Sequence, residues 1–518
     1  MHVITVDDYR PPPGRLVVLA PTAETVAAAA GAPATGEPLS ANERFHLASA
    51  LHRPQARNWL ACAFDLTFRV DPAVLAAGFT RFARRHPTLR TGLRTGLETG
   101  PGAGLDDRAE RFAVPVDSLA FTVARTDAFT AARTAAEEGA GEDHHGVRER
   151  LTALFDQACR PLAWPSYACA AVLREASTTV VCGFDHCHAD AHSLAIAAEE
   201  LTEILGALTR DRTPRLAPSA GHAGHRTVRP PDPDGLTRAR SVSRTRALDV
   251  WEQFLAEGDG ALPSFPLPLG TDPGGSVPPQ RSDHRVLLGA AGTAALEHRC
   301  RQADGTLFTG LLAATALAVR AAGAAAPLRL LVPLHTRHRP ESARSIGWFT
   351  TVAPLTLDLG GAGTLTAALP TARAAFRRSR ETAGLPLSAT VAALGDRLRP
   401  TGGDVFMLSY LDYRTVSTTG EPPRARNPHH LSRAAVTDTV QLWFSRTRDG
   451  LFLRTRHPDT VTAGRTVARF LDGIHRHLTG AATGLSVPGP PVLGPPVPGL
   501  PSPGSAPDAG AGRSGRLR

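Results

Sequence analysis

Lysine is absent from this chain of 518 residues, so all 57 basic side chains are arginine. Two chemistries go with it. A pyridoxal phosphate Schiff base needs a lysine amine, and a Walker-A loop needs a lysine to reach the phosphates. Cysteine is scarce: six residues at irregular spacing argue against a disulfide framework and for a reducing compartment. No uncharged apolar run reaches 18 residues, and the opening MHVITVDDYRPPPG lacks the charged-then-apolar order of a signal peptide. A soluble, cytoplasmic protein with no membrane span is expected. The formal net charge of +9 raises nucleic acid as a partner. Yet the densest basic stretch, Arg210 to Arg246, sets nine arginines against three aspartates without one Phe, Tyr or Trp. Bases would find nothing to stack on, and no Cys/His finger accompanies it. That stretch reads as a solvated linker, or else as a basic rim for the phosphates of coenzyme A or an acidic carrier protein.

The chain's chemistry is concentrated between Phe184 and Ser193 (FDHCHADAHS), which holds three histidines and two aspartates. Thr178 to Phe184 is β-branched and apolar, the composition of a buried strand. From Leu194, the apolar positions Ala197, Ala198, Leu201, Ile204, Leu205 and Leu208 follow a helical period. A histidine held where a strand ends and a helix begins sits on rigid elements, near backbone N–H groups. It could serve as a general base or as a metal ligand. As a metal box, His186, His188, Asp190 and His192 resemble the HxHxDH signature of metallo-β-lactamase-type hydrolases. Here Ala191 separates the aspartate from the last histidine, and zinc tolerates little displacement from roughly 2.0–2.2 Å for N or O ligands. Cys182 and Cys187 form no Cys-x-x-Cys pair to help.

Read the other way, Asp185-His186-x-x-x-Asp190-Ala191 resembles the HHxxxDG motif of the condensation-domain superfamily, with Asp185 and Ala191 as departures. Four further blocks resemble the same superfamily in the same order. They are Pro38 to Arg44 (PLSANER), Arg85 to Thr91 (RHPTLRT), Leu331 to Arg337 followed by Ser345 to Thr350 (SIGWFT) with Pro354, and Val405 to Asp412 (VFMLSYLD). The second follows a helix with Asp71 as N-cap and Pro72 at its first position. The resemblance is to condensation enzymes of nonribosomal peptide synthesis and polyketide-associated acyltransferases, relatives of chloramphenicol acetyltransferase.

It implies a mixed α/β fold of two similar lobes in a V, with the site between them. It also implies transfer of an acyl group from a coenzyme A or carrier-protein thioester to an alcohol or amine, with no cofactor, no metal and a monomeric chain. The second motif histidine, His186, is then the general base, since imidazole titrates near working pH. Asp190 is structural and pairs with an arginine of the second lobe, Arg337 or else Arg339. His188 and His192 are expected as surface or capping groups, and Trp348 and Phe349 as lobe-interface core. Two other functions stay open: a catalytically silent scaffold of the same fold, which Asp185 and Ala191 would favour, and a zinc hydrolase using His186, His188 and His192. Composition divides the chain into an N-terminal extension (1–37), a first lobe (38–209), the linker (210–246), a second lobe (247–482) and a Pro/Gly-rich disordered tail (483–518). In the second lobe, a helix resumes at Ala247 and Asp449-Gly450 marks a hairpin.

Overall fold

The computed structural model describes residues 1–52, 57–95, 109–124, 143–219, 237–272, 275–324, 327–338, 340–399, 404–416 and 425–484. The strands of the first half are β1 (His2–Thr5), β2 (Arg15–Pro21), β3 (Trp59–Leu66), β4 (Thr91–Thr95), β5 (Ala109–Ala113), β6 (Phe121–Val123), β7 (Tyr167–Leu173) and β8 (Thr178–Asp185). Those of the second are β9 (Gln280–Gly289), β10 (Leu328–His335), β11 (Thr350–Leu357), β12 (Met407–Asp412), β13 (Arg426–Ser432), β14 (Gln441–Arg446) and β15 (Gly450–Pro458). Among the described residues they form two large sheets, β1-β13-β3-β8-β7-β2-β6 and β11-β10-β12-β14-β15-β9, and a small ribbon, β4-β5.

The centre of the first sheet is apolar on both faces because helices cover both. β7 and β8 are buried at every position. On one face Cys62, Phe64, Val180 and Phe184 meet the helices Pro72–Arg85 and Ala191–Leu208 through Phe79, Phe82, Leu194 and Leu201. On the other, Ala61, Ala170 and Val181 meet the helix His144–Ala158 through Val147, Leu151 and Phe155. Phe155 packs so tightly on β8 that a side chain at Gly183 would overlap its ring. The second sheet has its own core on one face, where Leu330, Leu408, Phe444 and Leu453 pack against the helices Leu307–Ala321 and Val461–Thr483. Its other face is covered at one end by the helix Thr237–Ala256 through Trp251 and Phe254.

Local signals place the elements well. Asp71 caps its helix by accepting from the Ala73 N–H at 2.8 Å, with Pro72 at the first position. β14 and β15 pair antiparallel across the Asp449-Gly450 turn. Gly450 has φ +146° and lies where a side chain would strike the Leu288 carbonyl, so only glycine fits.

Three placements differ from the composition-based boundaries. The segment 1–37 is not an appendage, since β1 and β2 hydrogen-bond within the first sheet, β2 between β7 and β6. β13, from within the second half, leaves its neighbours and inserts between β1 and β3 of the first sheet. Its sequence RNPHHLS offers a proline and two histidines instead of an apolar run, and the pairing register shifts between Arg426 and His429 to pass the proline. Finally, the helix expected from Ala247 spans Thr237–Ala256. Residues 220–236 of the Arg/Pro-rich linker, all but two residues of the expected tail and Arg339 lie outside the described residues. No described helix is long and apolar enough to cross a membrane.

Candidate active site

β8 delivers Asp185 at its end, a turn carries His186 to Ala189, and Asp190 caps the helix Ala191–Leu208. The turn closes when the His188 N–H donates to the Asp185 carbonyl at 2.9 Å. Asp190 Oδ1 accepts from the Ser193 N–H at 2.8 Å and from the Ser193 hydroxyl at 2.7 Å. That much is ordinary capping. The same oxygen also accepts from Arg337 Nη2 at 2.9 Å, and Oδ2 accepts from the Phe349 N–H at 3.0 Å. Arg337 donates further to the carbonyls of Ser342 and Ser345, at 2.9 and 2.6 Å, and its guanidinium lies 4.1 Å from the Phe349 ring centroid. One carboxylate thus joins the motif turn of the first sheet to the loop between β10 and β11 of the second. Its pKa is held at about 2: burial pushes it up, and the Arg337 charge, with the Ser193 donors and His192, outweighs that.

The clamp sets Trp348 against His186. The two rings are stacked, centroids 3.9 Å apart and tilted by 28°. The Nδ1 atom of His186 is buried and makes no hydrogen bond to another residue. Burial, and then the neighbouring His46, lower the pKa of His186 to about 4. At neutral pH the ring is therefore uncharged and has a lone pair to accept a proton.

His46 lies on the helix Ala41–His52, which is tied to the start of β11 by Asn42 Nδ2 donating to the Thr350 carbonyl at 2.7 Å. Its Nε2 meets Asp185 Oδ2 at 3.0 Å, with both groups buried. Asp185 Oδ1 accepts from the Cys187 N–H at 2.9 Å. Burial disfavours both charges, yet the pair wins: Asp185 raises the pKa of His46, and His46 with the Cys187 N–H lowers that of Asp185. The His46 ring stands edge-on to Trp348 at 5.9 Å and to His186 at 6.3 Å. Nothing in the PLSANERFH segment marked His46 as special. The available signal was Asp185 itself, a carboxylate at the end of a buried strand that needs a partner.

His188 is buried, whereas His192 is half-buried in the first turn of its helix. His188 is 3% exposed and its Nε2 faces the Thr91 carbonyl at 3.0 Å. His192 is held near a pKa of 4 by burial and then by Arg337. Phe349 is fully buried, whereas Trp348 is half-buried and covers His186. Among the described residues, the His, Cys, Asp or Glu group whose ligand atoms converge within 4.8 Å is His46, Asp185 and Cys187. It does not contain His186, His188 or His192. In that group the His46 and Asp185 atoms already satisfy each other, and burial raises the Cys187 thiol well above its ordinary pKa, away from the thiolate a metal requires.

No protein-family model matches the chain. Acyltransferase PapA3 of Mycobacterium tuberculosis is 25% identical over 347 residues, which cover 63% of this chain and 69% of that protein. The solved structure of a PapA2 acyl transferase superposes with TM-score 0.77 at 19% identity, covering 93% of this chain and 100% of that one. The first condensation domain of the calcium-dependent antibiotic synthetase superposes with TM-score 0.61 at 16% identity, over 87% of this chain and 97% of that one.

Proposed function

We propose that this chain, similar in sequence to acyltransferase PapA3 and in fold to a PapA2 acyl transferase, moves an acyl group from a coenzyme A or carrier-protein thioester to an alcohol or amine, with His186 as general base. The two sheets are the two lobes of a V-shaped pseudo-dimer in this reading. The first lobe is 1–209 together with β13, and the second begins with the helix Thr237–Ala256. The acyl donor binds as substrate, so no resident cofactor is required. The six buried free thiols suit a reducing, cytoplasmic setting.

The chemistry asks little of the protein, because a thioester is already activated. His186 takes the proton from the acceptor hydroxyl or amine as its oxygen or nitrogen attacks the thioester carbonyl. The C–S bond then breaks, and the imidazolium returns its proton to the departing thiolate. What supports this reading most is the state of His186: neutral, stacked on Trp348, and positioned by a turn that Asp190 and Arg337 clamp from both sheets. Asp190 and Arg337 position the turn and do not touch the proton. With its pKa held at about 2 and both oxygens engaged by the clamp's donors, Asp190 is too weak a base for the proton transfer.

The test is a panel of acyl-coenzyme A and acyl-phosphopantetheine thioesters offered with candidate alcohols and amines, read as thiol release and product mass. Transfer by the wild type that His186→Ala loses supports the assignment. A panel in which no thioester is consumed, with the protein folded, would leave the scaffold reading in its place.

A further inference from the structure

On β14 and β15, alternate residues enter the core of the second sheet: Leu442 and Phe444, Leu451 and Leu453. The residues between them point to the opposite face. That face looks toward the first sheet near β1, since the Phe452 ring meets His2 at 5.8 Å and His284 Nε2 meets Asp8 Oδ2 at 3.1 Å. Ser409, Trp443, Arg454 and His284 form one row across it, each the cross-strand partner of the next. Ser409 and Trp443 are half-buried, so solvent reaches this row. Arg454 is 5% exposed.

Arg454 is anomalous for its burial. Its guanidinium lies 4.9 Å from the Trp443 ring centroid, with Arg456 at 5.7 Å from the same ring. Arg456 has a counter-ion, Asp404, at 2.9 Å. Among the described residues Arg454 has none within 4 Å, and its Nε donates to nothing. The acid whose field reaches it, Asp8, is engaged by His284 and the Thr5 hydroxyl. A second buried polar atom waits nearby on β13, where His430 feels the fields of both Arg454 and His186, with its Nε2 unpartnered. A ring face offsets part of the cost of burying a guanidinium, but it offers no acceptor to the N–H fork. A cation taken from water without a counter-charge is expensive to keep.

The geometry points to a subsite for an oxyanion (a carboxylate, sulfate or phosphate group) that binds the Arg454 fork beside Trp443. Assigning that group to one of the two transfer substrates rests on the function proposed above, whereas the anion site does not. Such a substrate holds its charge on Arg454 and not on His186, so the anion serves recognition and takes no part in proton transfer. Arg456 is committed to Asp404 and adds field only.

Sulfate, phosphate and acetate are titrated separately into the full chain at constant ionic strength, read by calorimetry and by the rise in melting temperature. At least one binds saturably to the wild type. Arg454→Gln weakens it by about tenfold to a hundredfold, the span of one charge-assisted hydrogen bond. Arg454→Met keeps the stem's packing and weakens it equally, which covers the case in which the glutamine variant fails to fold. Which of the three anions binds tightest tells carboxylate from tetrahedral substrates. Equal binding by wild type and both variants, or no saturable binding of any anion, overturns the proposal. Arg454-dependent anion binding in a protein that consumes no thioester would sustain the subsite and remove the transferase reading instead.

Discussion

Replacing Asp190 by asparagine keeps the shape of the clamp and removes its charge. The carboxylate serves four donors: the Ser193 N–H and hydroxyl, Arg337 Nη2 and the Phe349 N–H. An amide has one acceptor oxygen, so either orientation turns its own N–H₂ toward a donor. It also leaves Arg337, 4% exposed, without its counter-ion. A carboxyl held at a pKa of about 2 against an ordinary 3.8 corresponds to about 2 to 3 kcal/mol of folding stability. Stranding the arginine brings this toward the roughly 3–5 kcal/mol seen when a buried pair loses one partner. In urea unfolding at pH 7, Asp190→Asn is therefore expected to lose about 3 kcal/mol, and Arg337→Met a similar amount. The double variant strands no charge and loses clearly less than the sum. The pH dependence has a definite sign. The folded pKa is depressed, so the contribution is complete above 3.8 and fades as pH falls toward 2. The gap between wild type and Asp190→Asn should close over that window. A loss below about 1 kcal/mol at pH 7, or strictly additive variants, would refute the clamp.

Loss of the proton acceptor in His186→Ala should lower turnover on the order of 10²–10⁴-fold with melting temperature nearly unchanged, measured as thiol release under saturating thioester. His46→Gln should destabilise the protein most in mildly acid solution. The folded pKa of His46 is raised above 6.5, so its contribution is full below that value and is lost as pH climbs through the raised one. Melting temperatures at pH 6 and pH 9 check this, and a constant difference between the two would contradict it. Metal analysis of the purified protein should find no stoichiometric zinc, and a chelator should leave transfer intact, because the Nε2 of His188 faces a backbone carbonyl and not a common centre with His186 and His192.

Legibility in the sequence followed the range of the interactions. β8, its turn and the helix Ala191–Leu208 were readable because an apolar run, a capping aspartate and a helical period are local signals. The Asp190–Arg337 contact spans 147 residues and was anticipated only through the resemblance of five blocks. β13 was hidden because strand insertion is a property of the sheet that receives it. Between β1 and β3 the backbone ladder and the flanking core supply what RNPHHLS lacks. The same insertion brings His430 to the site from a segment that reads as loop. Burial of His188 was misjudged for a related reason: a polar residue between two elements reads as surface until the fold covers the turn.

The two motif departures looked in the sequence like lost function, and each meets an ordinary physical answer in the fold. A methyl group at Ala191 would matter if the position required positive φ or if backbone crowded it. Ala191 is instead the first residue of its helix and is not among the described residues with left-handed backbone. Asp185 would be ruinous as an unpaired carboxylate, 1% exposed at the end of a strand. His46 reaches it from a separate helix and returns an imidazole to the neighbourhood of the motif, edge-on to Trp348. The pair then acts on His186 through charge: a protonated His46 lowers the pKa of its neighbour, and Asp185 raises it. The scaffold reading drew on those two positions alone. With one accommodated in regular helix and the other in a buried ion pair, the burden passes to chemistry, where the thioester panel discriminates between an idle fold and a working base.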